Sequence, residues 1–437
     1  MKKNKLTLGG HIIIVFAVIA SQFALGFGSI VPVQAKSESA AAARQYYVSP
    51  TGNDANAGTS DALAWKTLKK VNATNFQPGD VISFKRGGSW TGGLVVDNSG
   101  VQGTPITFTA YGSGAKPVFT NPGSASNYTN SIVVSASWVV VDGFTVSNAQ
   151  YAGVYISNTA AHDVVKNMEA TNVGAGIQIR GQHNLVTKNY IHDLHMVRNT
   201  PGGTDDSGAM GVSFIDGSSN EVSYNRMERC IATSYDFGKD GGVVEFFGTS
   251  NANYVHHNWG SDSNGFAEVG GGTALNNILA YNVSVNNGGF TSVHLSDGFS
   301  SVVKNFRVEN NTIIETTQSG WVPFGFVGNP AADTFLLRNN IVYISKFLKI
   351  SNKSGFTHTN NLYFLAGGTI LGYTLAAGEA IGDPQFVNLA GRDFHLKVGS
   401  PAINKGGNLS YTLDFEKKPV PSGSSPDMGS YEYQVLP

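Results

Sequence analysis

A single cysteine, Cys230, stands in 437 residues. No disulfide can form inside the chain, so an exported protein of this length must be held by its core and its backbone ladders. Charged residues are sparse, at 14%, and no basic stripe is present, which argues against an electrostatic grip on nucleic acid. Beyond the N-terminal segment no apolar run is long enough to span a bilayer. The chain has no His-x-x-Glu-His or Cys-x-x-Cys pattern, so transition-metal chemistry is unsupported. Ser207-Gly208 and similar pairs lack the context of a nucleophile elbow. Helical periodicity is nearly absent, and no Pro-rich, charged or low-complexity linker divides the chain.

The N-terminus carries Lys2, Lys3 and Lys5, an apolar run from Ile12 to Phe27 and the small-residue tripeptide Val33-Gln34-Ala35. This order predicts a signal peptide over residues 1–35, with a membrane anchor as the alternative. Losing three lysines moves the net charge from −1 to −4. The expected product is secreted, extracellular or periplasmic, and off the membrane once processed. A short flexible segment, 36–44, would precede one elongated domain over 45–437, expected to be monomeric.

An apolar residue, two variable residues and an Asn recur along the chain: Val164 to Asn167, Val186 to Asn189, Val222 to Asn225, Val255 to Asn258, Leu279 to Asn282, Val308 to Asn311 and Leu337 to Asn340. The steps are 22, 36, 33, 24, 29 and 29 residues, a minimal unit with loops inserted. A coil of three short strands and three turns needs about that many residues. Asn suits its bends because it tolerates the left-handed conformation and can bond neighbouring backbone, and stacked asparagines would form a ladder. Between them lie alternating segments such as Gly153-Val154-Tyr155-Ile156 and Gly176-Ile177-Gln178-Ile179. The expected fold is all-β, a single-stranded right-handed parallel β-helix with capped ends. A propeller or sandwich would show tight Asn-Gly turns at regular spacing.

The opening Tyr46-Tyr47-Val48-Ser49-Pro50-Thr51-Gly52-Asn53-Asp54, followed by Trp65-Lys66-Thr67-Leu68 and Pro78-Gly79-Asp80, resembles that of the secreted right-handed parallel β-helix carbohydrate-active proteins related to pectate lyases and β-helical glycosidases. The closing Asp383-Pro384-Gln385-Phe386, Ser400-Pro401-Ala402-Ile403 and Pro426-Asp427-Met428-Gly429-Ser430-Tyr431-Glu432 resembles their C-terminal end. The resemblance implies a glycan substrate and marks architecture more than reaction. These segments read as caps over the ends of the solenoid, with Asp54, Asp80, Asp383 and Asp427 as turn residues.

In Val244-Glu245-Phe246 and Ala267-Glu268-Val269 the flanking apolar residues should face the core, leaving both glutamates outward and one short rung apart. Val293-His294-Leu295 would set His294 above Glu268, with Ser213 and Gln178 at the same place on earlier rungs. The longest insertions precede this column and hold His192, His195, Asp205, Asp206, Tyr235, Asp236, Lys239 and Asp240, which should wall a groove. Stacked carboxyls about 5 Å apart suit a retaining glycosidase, and their mutual repulsion raises one pKa, as an acid catalyst requires. Glu245, Glu268 and Asp240 are therefore the catalytic candidates. Tyr235, Asp236, Lys239, His294, Arg180, His192, Asp205 and Asp206 are the substrate-binding candidates, and Trp259 and Trp321 are further surfaces for stacking on sugars. The plainer alternative is a ladder of surface glutamates, of the kind offered by Glu169, Glu221 and Glu309. His256-His257 is expected to be solvated on its Asn turn.

The leading expectation is a glycoside hydrolase needing no cofactor. A lyase acting on a uronate-containing glycan is the alternative, with Arg180, Lys239, Tyr235, His192 or a calcium ion on Asp205, Asp206, Asp236 or Asp240 countering the uronate charge. The carboxylate-rich groove disfavours an anionic chain unless metal reverses the field. A non-catalytic glycan-binding surface protein is the third reading; it should have short loops and repetitive outward faces, unlike this chain.

Overall fold

A computed structural model describes residues 43–317, 323–344, 355–365 and 373–434. The expected signal peptide, most of the segment after it, and Trp321 lie outside the described residues. Residues 42–437 form one compact unit.

Hydrophobic alternation and corner residues wind this unit into a right-handed parallel β-helix. One face is a twelve-stranded parallel sheet running from Gln45–Val48 to Thr357–Thr359. The other two faces share long strands that turn a corner. Thr145–Ile156 pairs through its first half with Val118–Asn121 and through its second half with Ile132–Val134.

The face that carries the candidate site includes seven strands among the described residues: β1 (Thr145–Ile156), β2 (Glu169–Ile179), β3 (Met210–Ile215), β4 (Gly242–Thr249), β5 (Ala267–Leu275), β6 (Thr291–His294) and β7 (Phe324–Val327). Their register stacks Ile156, Ile179, Phe214, Phe246, Val269, Val293 and Phe326 inward, all buried. Two positions earlier, Val154, Ile177, Val212, Val244 and Ala267 do the same. Because strand side chains alternate, the residue between the two inward columns must point out.

The asparagines form the expected ladder, displaced by one residue at its start. Asn189, Asn225, Asn258, Asn282, Asn311 and Asn340 are buried. Each backbone N–H donates to the next side-chain carbonyl at 2.9–3.0 Å, and the series continues to Asn361. Asn167 is exposed and not a member; the position that donates to Asn189 Oδ1 is Met168. The left-handed residue at this corner precedes the ladder residue, as at Asn167, Lys188, Tyr224, His257 and Tyr281. The ladder asparagines are thus kept for hydrogen bonding, while the bend falls on their neighbours. A second ladder joins Asn184, Asn220, Asn253 and Asn277, and Asp163 occupies its first rung. Cys230 and Ser263 lead to Asn287 at a third corner.

At the N-terminal end, the helix Leu68–Asn72 buries Leu68 and Val71 in the main core beside Trp65 and Phe76. Asp54 receives three donors from Lys66 and Thr67, and Asp80 receives Arg44 and Gln77 amides, as turn residues should. At the C-terminal end Tyr373 packs on Phe356 and Tyr363, and Ala380–Ile381 adds a short strand to the last coil; the segment that follows leaves this end. It returns along a flank, packing Phe386, Phe394, Met428 and Tyr431 against Val283, Val285, Ile314 and Ile341 and pairing Arg392 with Asp262. That flank carries Val283, Ile314 and Ile341 outward, an apolar stripe that would otherwise face water.

The strap also corrects two expectations. His256 and His257 are buried beside it, bonded to each other at 2.7 Å, with His256 also on Glu221 at 3.1 Å. Glu309 is not a surface carboxylate: it is buried against Arg338 and the strap residue Tyr411.

Candidate active site

Two antiparallel hairpins rise from the long insertions. One pairs Met196–Arg198 with Ser207–Gly208, the other Ala232–Ser234 with Gly238–Asp240. They are stitched together. Asn199 donates to Thr233 O and accepts from Tyr235 N, and Asp206 accepts from Thr200 N, Ser234 Oγ and Asp236 N. Between these walls and the outward column of β2 to β6 lies a groove of about 700 Å³.

The column on its floor reads Tyr155, Gln178, Ser213, Glu245, Glu268, Ser292 and Gly325, each the register partner of the next. Glu245 and Glu268 are therefore directly opposed on neighbouring strands. The partner of Glu268 on the next rung is Ser292, not His294. His294 lies two residues further along β6 and reaches Glu268 diagonally, with Nε2 at 3.2 Å from Oε1, while its Nδ1 bonds Asp297 Oδ2 at 2.6 Å.

The two glutamates differ in environment. Glu245 is half-buried and has no hydrogen-bond or ion-pair partner among the described residues. Burial first, then the charges of Glu268 and Asp240, push its pKa up to about 8. Asp240, at the base of its hairpin, rises to about 7 through burial, although the Gly241 N–H partly stabilises its charge. Glu268 instead faces an imidazole that its own hydrogen bond, with Asp297 behind, holds protonated to about 9. A carboxyl kept neutral thus lies one rung from a second carboxyl held by a cationic imidazole, two environments of the kind that acid and nucleophile chemistry uses.

Lys239, Asp205 and Asp206 line the groove with the column, whereas Tyr235 and Asp236 do not. Tyr235 is 66% exposed, and Asp236 accepts the Asp205 and Asp206 amides. Arg180 is tied to Asp216 at 3.0 Å. His192 lies on another face, stacked on Tyr190 and bonded to Asp193, and Trp259 packs on Phe394 of the C-terminal strap. The sequence reading passed over Tyr151, Phe247, Thr291 and Phe299, which line the groove, and Asp297. Only Asp297 left a local signal, a carboxylate three residues after His294. Gly271, at φ 69°, gives Phe247 its room: a Cβ there would lie 2.5 Å from the ring.

Asp205, Asp206 and Asp236 each place an oxygen within 4.8 Å of the others, which makes them the natural test of a calcium site. Their oxygens are largely taken. Asp205 pairs with Arg198 and accepts from Thr200, Asp206 accepts three donors, and Asp236 Oδ2 accepts two amides. A calcium ion takes six to eight oxygen ligands, and this group fits a loop staple better than such a shell.

Comparison with known proteins bears on the fold and the class of ligand. A family model described as "Pel9A-like, right handed beta helix region" matches residues 46–321. Lacto-N-biosidase of Bifidobacterium longum subsp. longum is 34% identical over 143 residues, 30% of this chain and only 8% of that protein. Pectate lyase L of Dickeya dadantii is 26% identical over 423 residues, 89% of this chain and 90% of that protein. Among solved structures, pectate lyase Pel9A superposes with a TM-score of 0.62 at 20% identity, covering 90% of this chain and 96% of that one. These relatives are carbohydrate-active proteins, and their activities divide between hydrolysis and elimination.

Proposed function

The chain belongs to the Pel9A-like right-handed β-helix family, and within it we propose a secreted glycoside hydrolase that cuts a polysaccharide or oligosaccharide with Glu245 as acid and Glu268 as nucleophile. The observation that carries this reading is the register pairing of the two glutamates. Neighbouring strands lie about 4.7–4.9 Å apart, close to the ~5–5.5 Å between carboxyls in retaining glycosidases.

Glu245, neutral up to about pH 8, gives its proton to the glycosidic oxygen as that bond breaks. Glu268, held at 3.2 Å by the His294 imidazolium, attacks the anomeric carbon and holds the sugar as an ester. Water then enters from the side the leaving group vacated, loses a proton to the Glu245 carboxylate and releases the sugar, which restores both groups. The binding of the substrate falls to the groove, whose hairpins exclude bulk water from one side and whose Lys239 and Gln178 offer donors.

The second reading is a lyase, favoured by the near full-length match to pectate lyase L. Lys239 would then be the base drawing the proton beside a uronate carboxylate. A panel of neutral and uronate polysaccharides separates the two when both new reducing ends and absorbance of the unsaturated product are recorded. Hydrolysis gives reducing ends alone, and Glu245→Gln and Glu268→Gln should each cut turnover by roughly 10²–10⁴. Near-normal rates in both variants, with activity abolished by Lys239→Ala, would replace the hydrolase by the lyase.

A further inference from the structure

The groove floor does not stop at Gln178. The outward column continues to Tyr155 on β1 and then to Val133 and Val95, so its character changes from carboxylate to apolar and aromatic toward the N-terminal end. Tyr151 lines that end of the groove. Its ring lies 5.8 Å from the ring of Tyr128 and 6.2 Å from that of Tyr155, tilted by 34° and 44°. Tyr128 is 49% exposed and Tyr151 and Tyr155 are half-buried. Together they make a stepped aromatic surface continuous with the catalytic column.

A polar group is aimed at the same place. Gln178, between Tyr155 and Ser213 in the column, is 1% exposed and lines the groove. Its amide faces the Tyr151 hydroxyl, yet Nε2 completes no hydrogen bond of normal geometry. An amide set against a tyrosine hydroxyl on the groove lining, beside aromatic faces, fits a ligand with both hydroxyl groups and an apolar face. The cation close by, Arg180, is spent on Asp216, so nothing among the described residues there offers a free positive charge to a carboxylated sugar.

We infer that Tyr128, Tyr151 and Tyr155, with the Gln178 amide, form a distal subsite that stacks and hydrogen-bonds neutral pyranose units of a glycan lying along the helix axis. The occupant is the substrate chain itself, and the position of cleavage rests on the hydrolase reading of Glu245 and Glu268. With rungs about 4.8 Å apart, roughly the length of one sugar unit, Tyr155 is about three units from Glu245. The enzyme should therefore act within extended chains and prefer oligosaccharides of about four units or more over disaccharides.

Native gel electrophoresis through arabinoxylan, galactan or polygalacturonate tests the subsite without requiring turnover. At least one neutral glycan should retard the wild-type protein and Glu245→Gln alike. Tyr151→Ala and Tyr155→Ala should weaken that retardation roughly tenfold each, a factor typical of a lost stacking contact. Tyr151→Phe and Tyr155→Phe should restore it, and thermal melts identify any variant whose loss reflects unfolding. Gln178→Ala should weaken retardation too. Equal retardation in the wild-type and alanine variants, retardation by polygalacturonate alone, or none by any of the three glycans would overturn the subsite. Normal activity in Glu245→Gln with impaired binding in the tyrosine variants would sink the catalytic assignment and leave the subsite standing.

Discussion

Glu245→Gln should make the protein more stable while making it inactive. In the unfolded chain this carboxyl titrates near its ordinary value of 4.5, whereas in the folded groove it titrates near 8. Between those values the unfolded state is ionised and the folded state must take up a proton, which opposes folding by about 1.4 kcal/mol for each pH unit above 4.5. At pH 7 the undiscounted cost is about 3.4 kcal/mol. Groove water reaches the carboxyl, and its coupling to Glu268 and Asp240 is shared, so about half of that, ~1.5 kcal/mol, is the better expectation. The glutamine is isosteric, carries no charge and breaks no existing bond, so it should recover that amount. In a chain of this size the gain corresponds to a rise in melting temperature of about 2 °C. Melting scans at pH 5, 6, 7, 8 and 9 should show the gap between variant and wild type small at pH 5, widening to pH 8 and level above it. An exposed carboxylate, as the sequence suggested, would give no gap at any pH; that result, or a gap that does not grow between pH 5 and 8, would refute the enclosed acid.

The remaining expectations concern the neighbours of this acid and the scaffold. His294 has its folded pKa raised to about 9 from 6.5, so its ion pairs stabilise the fold fully below pH 6.5 and lose that contribution as pH rises through 9. His294→Gln should therefore be less stable than wild type at pH 6 and nearly equal to it at pH 10, with turnover lowered at least tenfold where Glu268 needs its cation; melting scans and rate profiles across pH check both. In the ladder, Asn258→Ala removes the donors to Val222 O and His256 O and the acceptor of two Asn225 N–H groups, which should cost about 3 kcal/mol in urea unfolding. Asn167→Ala, outside the ladder but at φ 54°, should cost only about 1 kcal/mol.

The coil was legible because its corners repeat in sequence, and the one-residue slip at Asn167 has the same origin. Each corner takes a left-handed residue followed by a ladder residue, and Asn suits both tasks. Asn310-Asn311, Asn339-Asn340 and Asn360-Asn361 fill the two places together, so the motif alone does not say which asparagine bends and which bonds. Where the left-handed place is His183, Ser219 or Ala252, the repeat fades from view, and the second ladder was missed. The C-terminal motifs were visible, but their docking along the flank depends on contacts with Val283 and Ile341, distant in sequence.

The same division runs through the candidate site. Alternation sets which face a strand residue takes, so Glu245 and Glu268 could be placed outward and paired from sequence alone. Register along the strand depends on the turn that precedes it, and β6 enters two residues out of the expected alignment: Thr291, Ser292 and Val293 align with Ala267, Glu268 and Val269. His294 meets Glu268 only because a diagonal neighbour is within reach of a long side chain. That geometry is chemically consequential. A histidine directly above Glu268 would stand in the column, between the carboxylate and any sugar on the next rung. Displaced by two residues, it bonds Glu268 from the side and is anchored by Asp297, which leaves Ser292 as the small floor of the next position. The column therefore stays open from Gln178 to Gly325 while Glu268 keeps its imidazole partner, which leaves the groove room for a chain on both sides of the glutamate pair.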